Sequence, residues 1–248
     1  MSTRQERRRA ERAAKKEGKS YEMQYELFQP WSTFVLKTKL PQSIFDKMIK
    51  ITDTIVDNAK NEKSWGHKLA GQIKDELWID HEILEREEVM GFFLDVARNF
   101  VIKQYCQTSP LNQKAIMAEE WYTQMKSMWI ISQKDNEYNP VHAHTKCHIS
   151  TVMYLKIPKY LPSRKPDKNA DGTITFINNA VKDQFWGNSQ ITIQPEVGDF
   201  FIFPASQQHL VYPFRTADGK GERRSAAFNA VFSSKFMQEA EKKKQEAT

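Results

Sequence analysis

The residue types best suited to chemistry crowd into two short stretches of the chain. Three of the six histidines fall in Asn139-Pro140-Val141-His142-Ala143-His144-Thr145-Lys146-Cys147-His148. Side chains alternate along extended backbone, so His142 and His144 are expected on one face of a strand. Two imidazoles there form half of a metal site. A third ligand can come from a neighbouring strand, and His209 is placed for it, just beyond the apolar run Asp199-Phe200-Phe201-Ile202-Phe203-Pro204. Imidazole suits iron, zinc, copper and nickel alike, so ligand type does not choose the metal. A His-x-His pair taken alone is also what surface or hydrogen-bonding histidines look like. The second stretch is Gly221-Glu222-Arg223-Arg224-Ser225-Ala226-Ala227-Phe228-Asn229. On a strand, Arg223, Ser225 and Asn229 share one face, while Arg224, Ala226 and Phe228 share the other. A guanidinium with a hydroxyl two residues on can grip a carboxylate. Of the other histidines, His81 is expected at the surface or as a cap, His148 in a hydrogen-bonding role, and His67 lies in an irregular segment.

These groups need rigid elements to hold them, and the patterning supplies two kinds. Pro41 opens a helix on which Ile44, Phe45, Met48, Ile49, Ile51 and Ile55 recur at helical spacing. A second helix begins near Glu87, with Met90, Phe93, Leu94, Ala97, Phe100, Val101 and Tyr105 on one side. Each has a single apolar stripe, so each should pack on a sheet. Tyr21–Leu40 reads as an entering strand, and Lys60–Trp78 as polar and irregular. From Glu119 the pattern turns to short β-rich runs: Glu119–Gln133, Lys146–Ile157, Thr173–Ile177, Gln190–Gln194, Asp199–Phe203, Gln208–Phe214 and Arg223–Ser233. Turn signals such as Asp171-Gly172, Val197-Gly198 and Asp218-Gly219 separate them. The expected fold is α+β, a double-stranded β-helix or jelly-roll barrel with N-terminal helices packed on one sheet. The domain division that follows is a basic, disordered arm over 1–20, one domain over 21–234 and a polar tail over 235–248. Within that domain, 21–118 is helical and irregular and 119–234 is the jelly-roll core. The Pro-rich segment 158–168 is expected as a surface loop at the mouth of the barrel.

The ordered set of motifs resembles the 2-oxoglutarate- and Fe(II)-dependent oxygenases, in particular prolyl-hydroxylase-like members found in bacteria and phages. The likeness runs over about residues 119–233. It rests on Trp129, Tyr138-Asn139-Pro140-Val141-His142-Ala143-His144, Ser150-Thr151-Val152-Met153-Tyr154-Leu155, Pro195 to Pro204, His209, Val211, Pro213 and Arg223-Arg224-Ser225. The resemblance implies His142 and His209 as metal ligands, Arg223 as the clamp on a 2-oxoglutarate carboxylate, Ser225 as its partner and Tyr154 as a co-substrate support. Asn229, on the same face, joins the co-substrate group. Position 144 departs from the pattern: most of the superfamily has a carboxylate there and this chain has His144, leaving a ferrous site one charge more positive. His144 is expected as the third ligand, and a second-shell place is the alternative. The cofactors implied are Fe(II) and 2-oxoglutarate, and the activity is a dioxygenase that hydroxylates an organic or peptidyl substrate with O2, prolyl hydroxylation being the nearest analogy. A nucleic-acid-directed oxidative demethylase and a non-catalytic jelly-roll binding module are the alternatives. Trp121, Tyr122, Trp129, Tyr138 and Trp186 are candidates to line the substrate side or to fill the core.

Charge bears on the partner. The chain of 248 residues carries +6, and its placement is informative. Residues 1–19 hold eight Lys/Arg against three Glu, and the stretch from Lys235 onward holds four Lys against three Glu, so the body between is neutral. A basic arm can hold phosphate backbones or an acidic partner, but a neutral body argues against a long phosphate-tracking groove, and nucleic acid is not favoured. No run reaches the ~18 apolar residues of a membrane helix. Two cysteines, Cys106 and Cys147, make no disulfide framework and are expected to be buried. A cytoplasmic location follows (the host's, if phage-encoded).

Overall fold

The computed structural model describes residues 34–59, 66, 69–163, 165–178 and 188–246. The basic arm, most of the expected entering strand, His67 and Trp186 lie outside these residues. Mixed helices and antiparallel sheets make up the rest. A six-stranded sheet is built from β1 (Leu36–Lys39), β2 (Asp75–Trp78), β3 (Trp121–Gln133), β5 (Ile149–Lys156), β8 (Asp199–Pro204) and β10 (Arg223–Ser234), in the order β1-β8-β5-β10-β3-β2. A smaller sheet runs β4-β9-β6-β7, from β4 (Asn139–His142), β9 (His209–Val211), β6 (Ile174–Ile177) and β7 (Gln190–Ile193).

The strand β8 shows why the layers stack as they do. Its Phe200 and Ile202 pack into the core formed with the helices, while Phe201 and Phe203 pack with Ile174, Phe176 and Val211 of the small sheet. A strand apolar on both faces must be covered on both. The covering helices are α1 (Gln42–Asn58) and α3 (Met90–Thr108), which bury Met48 and Ile51, and Phe93, Ala97, Phe100 and Val101, against Met128, Ile130, Met153 and Phe228. Phe93 meets Phe228 at 5.4 Å between ring centroids in a tilted pair and Phe200 edge-on at 6.0 Å, contacts that add to area burial. Short helices α2 (His81–Arg86) and α4 (Gln113–Ala118) fill the connections. The two expected long helices are present, and Pro41 stands at the position before the first of them.

Four details differ from the sequence reading. The segment 60–78 contains β2, a strand that its polar composition hides. The strand expected from Lys146 starts at Ile149, because Lys146 turns the chain with φ 58°. The polar stretch 235–248, for which no element was expected, includes a helix, α5 (Lys235–Glu246). Cys106 and Cys147 are half-buried rather than buried, since one lies near the end of α3 and the other in the turn before β5. The turn glycines hold: Gly172, Gly198 and Gly219 all have positive φ, where a Cβ would be strained. Among the described residues no helix is long and apolar enough to cross a membrane.

Candidate metal centre

Between the two sheets lies a cavity of about 300 Å³. Sequence register decides what faces it. In β10, Arg223, Ser225, Ala227 and Asn229 line it, while Arg224 turns to the helix side and ion-pairs with Glu222 and with Asp53 of α1. That is the division the alternation predicts. Tyr154 joins from β5, opposite Ser225 in the ladder.

On the small-sheet side, His142 and His209 are paired in register on β4 and β9. Their rings stand 4.2 Å apart. His144 lies beyond the end of β4, held by its N–H donating to the Ala205 carbonyl at 2.9 Å. Its ring is 5.2 Å from His142 and 5.3 Å from His209, nearly parallel to the latter. So His142 and His144 do converge, although no single regular strand carries both. One ligand-capable nitrogen from each of the three lies within 4.8 Å of the others.

The chemistry of this donor set fits a metal ion. His142 Nδ1 is 2.7 Å from the Pro140 carbonyl, and His209 Nδ1 is 2.9 Å from the Gln207 carbonyl. A carbonyl only accepts, so both Nδ1 atoms carry the proton and both Nε2 lone pairs are free. Burial keeps the rings neutral. It holds His142 below the usual histidine range; His144 falls to about 4 through burial and the neighbouring His142, and His209 to about 3 through burial and the same neighbour. Trp129 packs at a tilt against His144 at 6.1 Å and Phe203 meets His209 edge-on at 4.8 Å, which restrains both rings.

Polar groups gather at the far end of the cavity. The Arg223 guanidinium is buried, donates to the Gly172 carbonyl at 2.6 Å and to the Gln133 side chain, and sits 5.7 Å from both the Tyr154 and Phe214 rings. Its Nε, the Tyr154 hydroxyl and the Asn229 side-chain oxygen are buried and have no hydrogen-bond partner among the described residues. Buried polar groups left open in this way are costly and mark where a polar ligand would complete them. Burial pushes the Tyr154 phenol up to about 12, against the pull of Arg223, so it stays protonated.

The expected aromatics part company. Trp129 lines the cavity, Trp121 packs with Tyr105 and Phe232 in the core, and Tyr122 and Tyr138 are exposed. His148 accepts from the Phe232 N–H and so has its hydrogen-bonding role. His81 is the first residue of α2, just after the N-cap Asp80, and is half-buried, neither a surface residue nor the cap.

Sequence reasoning missed Gln133, which holds Arg223, and Glu76. The latter comes from β2, is 1% exposed and lines the cavity. Burial and the nearby Glu137 raise its carboxyl to about 7. The native state therefore keeps a proton that the unfolded chain releases near pH 4.5, and stability falls as pH rises from there through about 7. Glu76→Gln should match the wild type near pH 4.5 and exceed it at pH 8 by up to about 3 kcal/mol in denaturant titrations; equal stabilities at both pH values would contradict this.

Residues 127–229 match the family described as "Putative 2OG-Fe(II) oxygenase". No curated protein sequence matches the chain. Similar solved structures include a prolyl-4-hydroxylase of Pseudomonas putida (13% identity, TM-score 0.47, 79% of this chain and 92% of that one). Another is the viral collagen prolyl hydroxylase of Paramecium Bursaria Chlorella virus-1 with 2OG (13%, 0.45, 79% and 94%). A third is AviO1 of Streptomyces viridochromogenes Tue57 (7%, 0.49, 79% and 89%). The matched stretch holds all three clustered histidines, Tyr154, Arg223, Ser225 and Asn229, so over residues 127–229 the chain is similar to a family described by 2OG and Fe(II).

Proposed function

We propose that the protein is a 2-oxoglutarate- and Fe(II)-dependent hydroxylase with His142, His144 and His209 as the metal ligands. Its two sheets are read as the halves of a jelly roll, and its substrate as an organic molecule or a peptidyl side chain, prolyl hydroxylation being the nearest analogy. The observation that carries the reading is the convergence of three neutral imidazoles and one buried arginine on a single cavity.

Held by these residues, iron with 2-oxoglutarate would supply the oxidising power to put one oxygen atom of O2 into a substrate C–H bond and the other into succinate, with loss of CO2. The chain's own residues do the rest. His142 and His209 present Nε2 lone pairs in orientations fixed by the Pro140 and Gln207 carbonyls. Arg223 provides the fork that grips the distal carboxylate, with Tyr154 and Ser225 beside it. Ile174, Phe203 and Val211 form apolar walls that exclude water and strengthen these contacts.

His144 is the ligand that departs from the usual carboxylate, and it is directly testable. His144→Ala should weaken Fe(II) binding by about 10–100-fold, since even outer-shell partners matter by that much. His144→Asp should retain the metal. Unchanged affinity in His144→Ala would remove it from the ligand set. For the activity itself, succinate formation from 2-oxoglutarate should require added Fe(II). Mass spectrometry of treated cell extract should then show products heavier by one oxygen atom. Absence of both metal binding and succinate would overturn the reading.

A further inference from the structure

The buried polar atoms that stand open do not all serve one ligand. Arg223 and Asn229 face the cavity from the same strand, six residues apart. At about 3.4 Å per residue their backbones are separated by roughly 20 Å. A five-carbon diacid built from bonds of about 1.5 Å is shorter than about 8 Å. Held at Arg223 by one carboxylate and directed at the histidines with the other, 2-oxoglutarate leaves Asn229 for a different molecule.

The ladder shows what stands beside Asn229. Register pairs place Phe203, Ser150, Asn229 and Ser127 in one row across β8, β5, β10 and β3. Phe203 meets His209 at 4.8 Å and His144 at 6.5 Å, so this row lies against the imidazoles. Ser150 alternates in step with Val152 and Tyr154, which line the cavity, and therefore shares their face. It is fully buried. Its hydroxyl and the Asn229 side-chain oxygen have no hydrogen-bond partner among the described residues. The ladder sets the two side by side, yet neither bonds the other. The backbone next to them is pinned, because Thr151 Oγ1 donates to the Phe228 carbonyl at 3.1 Å and accepts from the Phe228 N–H at 3.0 Å. The row carries no charge; Arg223 and the carboxylate of Glu76 stand in other rows.

An open Asn229 oxygen calls for a donor, and the Ser150 hydroxyl can donate. An amide presents the matching pair, an N–H and a C=O. A neutral, buried row also favours an uncharged group over an ion, which would lose its hydration there without a counter-charge. We infer that Asn229 and Ser150 form the substrate-side recognition pair and take an uncharged amide, the Asn229 oxygen accepting its N–H and the Ser150 hydroxyl donating to its C=O. A peptide bond and a primary carboxamide share this chemistry. The assignment rests on the oxygenase reading above and names the group that the same site selects in its substrate.

The test uses the full chain loaded with Ni(II) and 2-oxoglutarate, so that no turnover intervenes. Calorimetry compares N-acetylproline methylamide with N-acetylproline methyl ester. Proline's own acetyl amide has no N–H, so the methylamide carries one donor and the ester none. The methylamide should bind about 10-fold more tightly, since the ester leaves the buried Asn229 oxygen unpaired. In Asn229→Leu that preference should vanish while 2-oxoglutarate affinity stays near that of the wild type. Ser150→Ala should weaken both probes by about 5-fold and keep the preference. N-acetylproline amide separates the two sources: tighter binding than the methylamide assigns the pair to a primary carboxamide, weaker binding to a peptide bond. No preference for either amide over the ester in the wild type, a preference that survives in Asn229→Leu, or loss of 2-oxoglutarate affinity in that variant would overturn the inference. Binding of 2-oxoglutarate to the Ni(II)-loaded wild type is read separately, and its failure would sink the oxygenase reading whatever the probes do.

Discussion

Replacing Arg223 with methionine should raise the 2-oxoglutarate concentration for half-saturation by at least about 100-fold. The guanidinium is buried, so its bonds to a carboxylate form out of competition with water. Hydrogen bonds to charged groups are worth roughly 1.5–3 kcal/mol each, and two are lost with the fork, which gives about 3–6 kcal/mol. At about 1.4 kcal/mol per factor of ten, the lower bound is the 100-fold quoted. Methionine preserves an apolar stem between Tyr154 and Phe214, so packing is largely kept. Arg223→Lys should fall between, because an ammonium keeps charge but not the planar fork. The neighbouring Arg224 is the control. It is equally buried, yet it faces α1 and holds Glu222 at 2.7 Å and Asp53. Arg224→Met should lower the unfolding free energy, since it removes the guanidinium that links Glu222 and Asp53 and leaves them only Ser132 and Lys156, while 2-oxoglutarate affinity stays near that of the wild type. Equal loss of 2-oxoglutarate affinity in both variants would mean that the effect is general unfolding.

The second large effect is at His209. His209→Ala should reduce Fe(II) affinity by about 100-fold or more, the upper end of what outer-shell changes alone produce. This imidazole is central: it pairs with His142 across β4 and β9 and lies parallel to His144. Its side chain also packs on Phe203 and Phe176, so truncation opens a small cavity at a cost of about 1–3 kcal/mol. The protein should therefore fold and fail to hold metal. His148→Ala separates the two effects. His148 packs at a tilt on Phe232 at 4.7 Å, and its loss should affect stability without changing Fe(II) affinity. Retention of tight Fe(II) binding by His209→Ala would remove the distal ligand from the account.

How much of this was legible beforehand depends on the range of the forces involved. Strand alternation is local, so Arg223, Ser225 and Asn229 could be placed on one face and Arg224 on the other, and the structure agrees. The helical stripes of α1 and α3 were readable for the same reason. Other features depend on contacts between distant segments. The convergence of His144 with His142 was expected from a shared strand, but β4 ends at His142 and the approach is made by a bond to Ala205, some sixty residues away in sequence. Gln133 meets Arg223 through the pairing of β3 with β10, a register that no local pattern announces. Glu76 was hidden because β2 is short and polar in composition; only its pairing with β3 makes it a strand and turns its carboxylate inward. His209 could be set with the His142 segment from its place after an apolar strand and from the resemblance to a known family, but the register that pairs the two was not readable locally.

The central claim is that three histidines and Arg223 form one site for Fe(II) and 2-oxoglutarate. Anaerobic calorimetric titration of the full chain with 2-oxoglutarate, with and without Fe(II), tests it most directly. The account predicts saturable, stoichiometric binding that needs Fe(II), is lost in His209→Ala and is weakened about 100-fold or more in Arg223→Met. Binding of equal strength without the metal, or in His209→Ala, would contradict it.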